Sequence, residues 1–213
     1  MARVRVKVCG ITSVEDGLAA AAAGADALGF VFWTRSPRAV DVETARRIVQ
    51  ALPPFVTRVG VFVDASREEL GCVAEAVGLD LVQLHGQESL ADLDGLSRPA
   101  LKALSVDEAF SVDAAVRYAE RAAGLLLDAG TAAQPGGTGR TLDWGVARRV
   151  RERVGSLILA GGLTADNVGD AIAAVRPTAV DVSSGVESAP GKKDAAKVEA
   201  FLEAVRRAEP HGV

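Results

Sequence analysis

The sequence predicts a single α/β domain, a (β/α)₈ or TIM barrel spanning residues 1–213. Short runs rich in valine, leucine and phenylalanine recur along the chain, and Ala-rich amphipathic stretches separate them. The strand starts lie roughly 19 to 33 residues apart, which is the length of a strand, a crossover helix and their loops. Eight such units, with a sheet buried on both faces, favour a closed barrel over an open flavodoxin-like sheet, which has fewer strands.

The predicted elements follow this alternation in order. Two helix starts carry the pattern of a capping box, in which side chains satisfy backbone N–H groups: Thr12 with Glu15, and Ser66 with Glu69. The last helix is predicted from Asp194 to Arg207, where apolar residues recur on one face. The eight strands are predicted at Val4–Val8, Ala27–Phe32, Thr57–Val63, Leu81–Leu84, Ala100–Leu104, Gly124–Leu127, Leu157–Ala160 and Ala179–Val182.

Composition and charge limit the class of protein. The 213 residues suffice for one domain with a full core, and 49% of them are hydrophobic. The 24 basic and 28 acidic residues are interspersed, so neither nucleic acid nor an anionic membrane is an expected partner. The two cysteines lie far apart in the sequence, which fits a reducing cytoplasm better than a disulfide framework.

Neither a membrane segment nor a signal peptide is expected. The longest apolar run, Leu18 to Ala25, is far shorter than the ~20 residues that a membrane helix needs. The N-terminus, Met1 to Lys7, alternates charged residues with valine instead of forming an apolar block. We therefore expect a soluble, cytoplasmic protein.

The first strand ends in Lys7-Val8-Cys9-Gly10-Ile11-Thr12, which places a cysteine at a strand tip. Barrel enzymes carry their catalytic groups at the C-terminal ends of the strands, and a thiolate acts as a base or a nucleophile. Asp128 has the same relative position on the sixth strand, so we expect acid–base chemistry. Alternatives are a small buried hydrophobe at Cys9 and a helix cap or loop carboxylate at Asp128. Cys72, within a predicted helix, is expected to be such a buried hydrophobe.

Alternation along the first strand places Lys7 and Cys9 on the face opposite the valines. The valines are expected to face the helices, which turns Lys7 and Cys9 into the barrel. In a closed barrel the eighth strand, which carries Asp181, neighbours the first. Because an unpaired buried charge is very costly, we predict an ion pair between Lys7 and Asp181 inside the barrel.

Glycine-rich turns follow the last three strands and predict a phosphate site. Glycine lets backbone N–H groups approach an anion without a Cβ in the way. A phosphate site formed by the loops after strands seven and eight is a recurring feature of barrels. The candidate residues are Gly136, Gly137 and Gly139 after the sixth strand, Gly161 and Gly162 after the seventh, and Ser183, Ser184 and Gly185 after the eighth.

Two arginines and a histidine lie at the same predicted rim. Arg35 and Arg38 follow the second strand, and a substrate carboxylate would give one of them a bidentate partner. Solvated surface charge is the alternative for each arginine. His85 ends the fourth strand, where it either titrates or only donates a hydrogen bond.

Taken together, these segments closely resemble the phosphoribosylanthranilate isomerase family of tryptophan biosynthesis. The resemblance covers nearly the whole chain, with its motifs in the expected order. The matching segments are Lys7-Val8-Cys9-Gly10-Ile11-Thr12, Gly29-Phe30-Val31-Phe32, Ser36-Pro37-Arg38, Val82-Gln83-Leu84-His85-Gly86, Leu127-Asp128, Gly136-Gly137-Thr138-Gly139-Arg140-Thr141, Asp143-Trp144, Gly161-Gly162-Leu163 and Val180-Asp181-Val182-Ser183-Ser184-Gly185-Val186-Glu187.

The resemblance implies a barrel that needs no metal and no organic cofactor. It implies conversion of N-(5-phosphoribosyl)anthranilate to 1-(2-carboxyphenylamino)-1-deoxyribulose 5-phosphate by an Amadori rearrangement. Cys9 falls on the family's general base, Asp128 on its general acid, and Arg38 on the residue that holds the anthranilate carboxylate. The chain departs from the family at Trp33-Thr34-Arg35, where Tyr-Pro-Lys is frequent, and at Arg140, where lysine is common. A small-molecule substrate and a monomer or homodimer are expected.

The two implied roles make opposite demands on pKa. Cysteine has a reference pKa near ~8.5 and aspartic acid near ~3.9, so at neutral pH both groups rest largely in the wrong form. For half protonation at pH 7, the pKa of Asp128 must lie about 3 above its usual value, which burial and an anionic substrate favour. The pKa of Cys9 must lie about 1.5 below its usual value, which Lys7 or a helix N-terminus would favour.

Three competing classes stay open at this point. The histidine-pathway isomerase performs the same rearrangement on a substrate with two phosphates and would need a second anion site. Neither Val61-Phe62-Val63-Asp64 nor His85-Gly86-Gln87 is a glycine-rich cradle, and that enzyme would carry aspartate in place of Cys9. Other phosphosugar barrels use lysine with glutamate, for which Lys102 is a candidate, or metal-binding histidines. A non-catalytic sugar-phosphate sensor would give the thiol and the carboxyl no role.

Overall fold

Eight parallel strands close into a barrel in the computed structural model, which describes residues 3–129 and 142–208. Each strand pairs with the next along the chain, and the last pairs with the first so that Asp181 lies beside Lys7. The predicted (β/α)₈ barrel is confirmed, and the strand ends match the predicted ones to within one residue. The strands are β1 Arg5–Cys9, β2 Ala27–Val31, β3 Thr57–Phe62, β4 Leu81–Leu84, β5 Ala100–Ser105, β6 Gly124–Asp128, β7 Leu157–Leu159 and β8 Ala179–Val182.

Helices cover the barrel except between β4 and β5. That connection is the shortest between consecutive barrel strands, and it contains only a short 3₁₀ helix, Leu90–Leu93. The expectation of eight strand–helix units is therefore wrong at this position, where the 3₁₀ helix takes the place of an α-helix. The α-helices of the described residues are α1 Val14–Ala23, α2 Val42–Ala51, α3 Arg67–Val77, α4 Val112–Ala119, α5 Trp144–Arg151, α6 Val168–Val175 and α7 Ala195–Ala208.

The two predicted capping boxes have different outcomes. Ser66 caps α3, since its hydroxyl accepts a hydrogen bond from the backbone N–H of Glu69 at 3.1 Å. The prediction for α1 is wrong, because Ser13 caps this helix by accepting from the N–H of Asp16. The hydroxyl of Thr12 instead donates to the carbonyl of Gly191, which follows β8.

Two hydrophobic layers hold the barrel together. The valines of β1 pack outward into the main core between the sheet and the helices, as predicted. Alternate strand residues point inward and fill the barrel, so the interior is packed rather than open. After β8 the chain forms a small antiparallel hairpin from β9 Glu187–Ala189 and β10 Lys192–Lys193. The apolar residues of this inner cluster are Val59, Leu101, Ala103, Leu126, Ile158 and Ala160.

Two further observations bear on the sequence expectations. Among the described residues, no helix has both the length and the apolar character needed to cross a membrane. Cys72 is exposed, so the expectation that it is a buried hydrophobe is wrong. It lies in α3 but outside the buried face of that helix, which is formed by Leu70, Ala74 and Val77.

Candidate active site

The barrel brings Cys9 and Asp128 to the same mouth. Each is the last residue of its strand, and the C-terminal ends of parallel strands lie at one end of a barrel. Both residues are buried. A Cβ atom at Gly29, on the neighbouring strand, would lie only 2.7 Å from the Cys9 sulfur, so the absence of a side chain there leaves room for the thiol.

Below this mouth lies the predicted ion pair. The Lys7 ammonium is 2.9 Å from Oδ2 of Asp181, and both side chains are buried. Burial alone would lower the pKa of Lys7, but the Asp181 carboxylate and the Cys9 sulfur raise it above its usual value. Lys7 therefore stays charged, and the hypothesis of an interior pair is confirmed.

The pKa of Cys9 moves against the sequence expectation. Burial raises the pKa of the thiol above its usual value, and Lys7 only partly opposes that effect. Lys7 does favour the lower pKa that the proposed base needs, but burial is the larger effect, and Asp181, which is paired with Lys7, adds to it. At neutral pH the thiol is therefore mainly protonated.

His85 bridges from β4 towards the Asp128 carboxyl. Its Nε2 lies 3.6 Å from Oδ2 of Asp128, and its Nδ1 lies 3.2 Å from the side-chain amide nitrogen of Gln83. With the Gln83 amide N–H assigned as donor to Nδ1, the imidazole proton is on Nε2, which faces Asp128 but has no hydrogen-bond partner among the described residues. Burial, with the charges of Lys7 and Lys102, lowers the pKa of His85 to about 3. His85 is therefore neutral near neutral pH, which argues against the alternative that it titrates there.

The glycine-rich turns after β7 and β8 converge on one small cavity of about 40 Å³. We call its lining residues Gly161, Gly162, Ser183, Ser184 and Gly185 the glycine rim. Asp128 and Asp181 line the same cavity, which places the predicted phosphate residues next to the predicted general acid Asp128. Gly161 and Gly162 both have positive φ, at 86° and 63°, a conformation that glycine adopts without strain. The other residues predicted for the phosphate site, Gly136, Gly137 and Gly139, lie outside the described residues, as does Arg140.

The two arginines after β2 point in different directions. The guanidinium of Arg35 stacks over the ring of Trp33 at 5.2 Å and is exposed. Arg38 turns towards the mouth and forms a bidentate pair with Glu187. Sequence reasoning gave Glu187 no role, although it stands at the end of one of the quoted motifs. Gln83, which lies inside another of the quoted motifs, was also given no role.

The opposite side of the mouth has a different chemistry. We call Asp64, Gly86, Gln87 and Glu88 the acidic rim. The N–H groups of Asp64 and Gly86 donate to the Glu88 carboxylate, and the N–H of Gln87 donates to Asp64 at 2.6 Å. These backbone donors are already bonded to carboxylates, whereas an anion site needs donors that face the ligand.

Lys102 belongs to the outer layer of the barrel. Its neighbours in β5, Leu101 and Ala103, point inward, so Lys102 points outward between the sheet and α4. Its ammonium is 2.6 Å from the Glu88 carboxylate and lies near the ring of Tyr118. This placement removes the lysine that kept the synthase alternative open. Among the described residues, no cluster of three or more His, Cys, Asp or Glu side chains has the arrangement of a metal site.

A closed barrel with a buried thiol and carboxyl at its C-terminal mouth has the architecture of a (β/α)₈-barrel enzyme. A family model described as N-(5'phosphoribosyl)anthranilate (PRA) isomerase matches residues 6–204. The chain therefore belongs to the N-(5'-phosphoribosyl)anthranilate isomerase family.

Similar proteins cover nearly the whole chain. The N-(5'-phosphoribosyl)anthranilate isomerase of Pseudomonas putida strain W619 is 58% identical over 209 residues, which are 98% of this chain and 100% of that protein. The crystal structure of phosphoribosyl anthranilate isomerase from Thermotoga maritima has a TM-score of 0.89 and 44% identity, and covers 96% of this chain and 99% of the other. A phosphoribosyl anthranilate isomerase in complex with reduced 1-(o-carboxyphenylamino)-1-deoxyribulose 5-phosphate has a TM-score of 0.86 at 43% identity, with the same coverage.

Proposed function

We propose that this chain isomerises N-(5'-phosphoribosyl)anthranilate to 1-(2-carboxyphenylamino)-1-deoxyribulose 5-phosphate in tryptophan biosynthesis. The full-length similarity to named isomerases supports this activity. The observation that carries the mechanism is the placement of Cys9 and Asp128 at one mouth, next to the glycine rim. An aldose-to-ketose rearrangement of this kind consists of proton transfers, for which an acid–base pair suffices.

The first step opens the furanose ring. Asp128 donates its proton to the ring oxygen as the bond between that oxygen and C1′ breaks, and the nitrogen lone pair forms the C=N bond of a protonated Schiff base. Asp128 leaves this step as a carboxylate. The Nε2–H of His85 faces that carboxylate and stabilises the developing negative charge without giving up its own proton.

The second step removes the proton from C2′. The Cys9 thiolate takes this proton. The electrons of the broken C2′–H bond form the C1′=C2′ double bond and neutralise the iminium nitrogen, which gives an enolamine. The enolamine then tautomerises to the ketone. Because burial raises the pKa of the thiol, the thiolate is the minor form at neutral pH and is a correspondingly strong base. Lys7, held below it by Asp181, stabilises that thiolate.

Binding divides between two sets of groups. The phosphate binds to the glycine rim; the sequence prediction adds Gly136, Gly137 and Gly139 to its ligands, and these three lie outside the described residues. Arg38 holds the anthranilate carboxylate on the side of β2. The buried hydroxyl of Ser183 has no hydrogen-bond partner within the described ranges, which fits a donor that serves a ligand.

The remaining expectations are part of the same proposal. The protein acts in the cytoplasm as one domain over residues 1–213, without a nucleic-acid or membrane partner. It works as a monomer or a homodimer; one of the similar solved structures is described as monomers generated from a dimeric isomerase of T. maritima. Light scattering on the purified protein distinguishes these two states.

The test follows the loss of substrate fluorescence with the purified protein. Cys9→Ala and Asp128→Asn are each expected to lower kcat by about 100-fold or more, because each removes one proton-transfer group. Matched controls are Cys72→Ala, which removes the exposed cysteine, and Asp94→Asn, which breaks an exposed pair with Arg121. Near-normal turnover in either active-site variant, with circular dichroism unchanged, would remove that residue from the mechanism.

A further inference from the structure

The Arg38 guanidinium is held along one edge by a buried carboxylate. Its Nε donates to Oε1 of Glu187 at 2.8 Å, and its Nη2 donates to Oε2 at 2.7 Å. Such a two-point pair fixes both the position and the plane of the guanidinium. The Nη1 end and the second N–H of Nη2 take no part in this pair and stay directed away from Glu187.

Glu187 is itself held in place and kept ionised. The Lys193 ammonium lies 2.9 Å from Oε1 of Glu187, and both side chains are buried. Burial would raise the pKa of Glu187, but its hydrogen bonds with Arg38 and Lys193 lower the pKa below its usual value. Glu187 and Lys193 come from the two strands of the hairpin that follows β8, which fixes their separation.

The stem of Arg38 is fixed as well. It crosses directly over Gly10, the residue after Cys9, and a Cβ at Gly10 would lie 2.6 Å from Cδ of Arg38. Gly10 also has a φ of 78°, so a side chain there is disfavoured on both grounds. The arginine is therefore constrained at its stem by β1 and at its head group by the hairpin.

We propose that Glu187, together with Lys193, is a positioning residue that presents the free edge of Arg38 to the anthranilate carboxylate. This inference rests on the role proposed above for Arg38. Preorganised donors bind without the entropic cost of ordering a long side chain at the moment of binding.

Charge explains why a lysine accompanies the pair. Arg38 and Glu187 alone would be neutral and would attract a carboxylate weakly. With Lys193 the cluster carries a net charge of +1, so the arginine is both oriented and electrostatically attractive. This predicts that the cluster discriminates substrates with the carboxylate from substrates without it.

The test compares two substrates, N-(5-phosphoribosyl)anthranilate and N-(5-phosphoribosyl)aniline, which lacks the carboxylate. Conversion of both is followed by liquid chromatography, and the readout is the ratio of their kcat/KM values. General damage to the fold or to Cys9 affects both substrates and cancels in the ratio. Loss of Arg38 positioning lowers the ratio.

The main variant is Glu187→Gln combined with Lys193→Met, which keeps the cluster charge at +1 while removing the anchor. We expect it to lower the ratio about tenfold. Glu187→Asp, which keeps every charge but shortens the anchor, should lower it by a smaller factor and serves if the double variant does not fold. Asp80→Asn is the matched control, because Asp80 forms the same two-point pair with Arg58 at the other end of the barrel.

Arg38→Met separates this inference from the role of Arg38 itself. If Arg38→Met leaves the ratio unchanged, the proposed carboxylate contact is wrong. If Arg38→Met lowers the ratio but the Glu187 variants leave it unchanged, Glu187 is not a positioning residue. A ratio that rises in the Glu187 variants would mean that Glu187 competes with the substrate for Arg38, which also overturns the proposal.

Discussion

The glycine rim and the acidic rim lie at the same mouth of one barrel, yet they offer opposite chemistry to an anion. Both contain turns with glycine at strand ends. At the acidic rim the N–H groups of Asp64, Gly86 and Gln87 are bonded to the carboxylates of Glu88 and Asp64. At the glycine rim the cavity is lined mainly by glycine and serine, together with Asp128 and Asp181.

This difference teaches that a glycine turn alone does not make a phosphate site. What matters is whether the backbone donors face the cavity or are already bonded to a neighbouring carboxylate. On the function proposed above, the glycine rim holds one phosphate, and the carboxylates of the acidic rim repel a second. The contrast therefore favours a monophosphate substrate over the two-phosphate substrate of the histidine-pathway isomerase.

The largest expected effect comes from adding a negative charge to the glycine rim. Ser184→Asp is expected to raise KM for N-(5'-phosphoribosyl)anthranilate by about 100-fold, because like charges in close contact cost several kcal/mol. The same change of charge on the acidic rim, Gln87→Asp, is expected to alter KM less than about threefold at the exposed Gln87. Steady-state kinetics of both variants at one ionic strength measures the difference.

Similar KM values in these two variants would contradict the division of the mouth into two rims. Ser184→Asn controls for the volume of the new side chain without its charge. It is expected to recover most of the affinity lost in Ser184→Asp. If it does not, shape rather than charge governs the glycine rim.

The part of the site that depends on strand alternation could be predicted from the sequence. The Lys7–Asp181 pair follows from side-chain parity and from closure of the barrel, which makes β1 and β8 neighbours. The convergence of Gly161 and Ser183 follows in the same way, because both lie just after adjacent strands. Both predictions need only the alternation of side chains along a strand and the order of strands in a closed barrel, and neither needs the conformation of a loop.

The contacts made by loops could not be predicted in this way. The Arg38–Glu187 pair joins a loop after β2 to a hairpin after β8, and no periodicity relates the two. The capping error at α1 has the same origin, since Thr12 is engaged by Gly191 of that hairpin. The pKa of Cys9 depends first on burial and then on the opposing charges of Lys7 and Asp181, and these require coordinates rather than residue types.

A smaller effect is expected from His85, which lies between the two rims. Burial and the charges of Lys7 and Lys102 place its pKa at about 3 in the folded protein, against ~6.5 in the unfolded chain. The unfolded chain therefore binds the proton first as the pH falls, so the free energy of unfolding decreases from about pH 6.5 towards about pH 3. Between pH 6.5 and pH 5 this decrease should be roughly 1.5 to 2 kcal/mol.

Urea unfolding of the wild type and of His85→Asn at pH 6.5 and pH 5 isolates this contribution. The variant lacks the imidazole. Between pH 6.5 and pH 5 its free energy of unfolding should therefore decrease by roughly 1.5 to 2 kcal/mol less than that of the wild type. Carboxylates that titrate in this range contribute equally to both proteins. If the free energy of unfolding decreased by the same amount in both proteins, His85 would bind its proton in the folded state at its ordinary pKa.

The smallest expected effect tests the acidic rim itself. Asp64 has a left-handed backbone, with a φ of 52°, and its carboxylate accepts from the N–H of Gln87. Asparagine tolerates this conformation, so Asp64→Asn removes one negative charge at little conformational cost. Removing a charge from an exposed rim should improve binding of a second phosphate by about three- to tenfold.

The measurement is competitive inhibition of the isomerase by the two-phosphate substrate of the histidine-pathway isomerase, with ribose 5-phosphate as the single-phosphate control. Because the glycine rim is untouched, inhibition by ribose 5-phosphate should stay constant; equal gains for both inhibitors would mean that Asp64 acts on the whole mouth rather than on its own half.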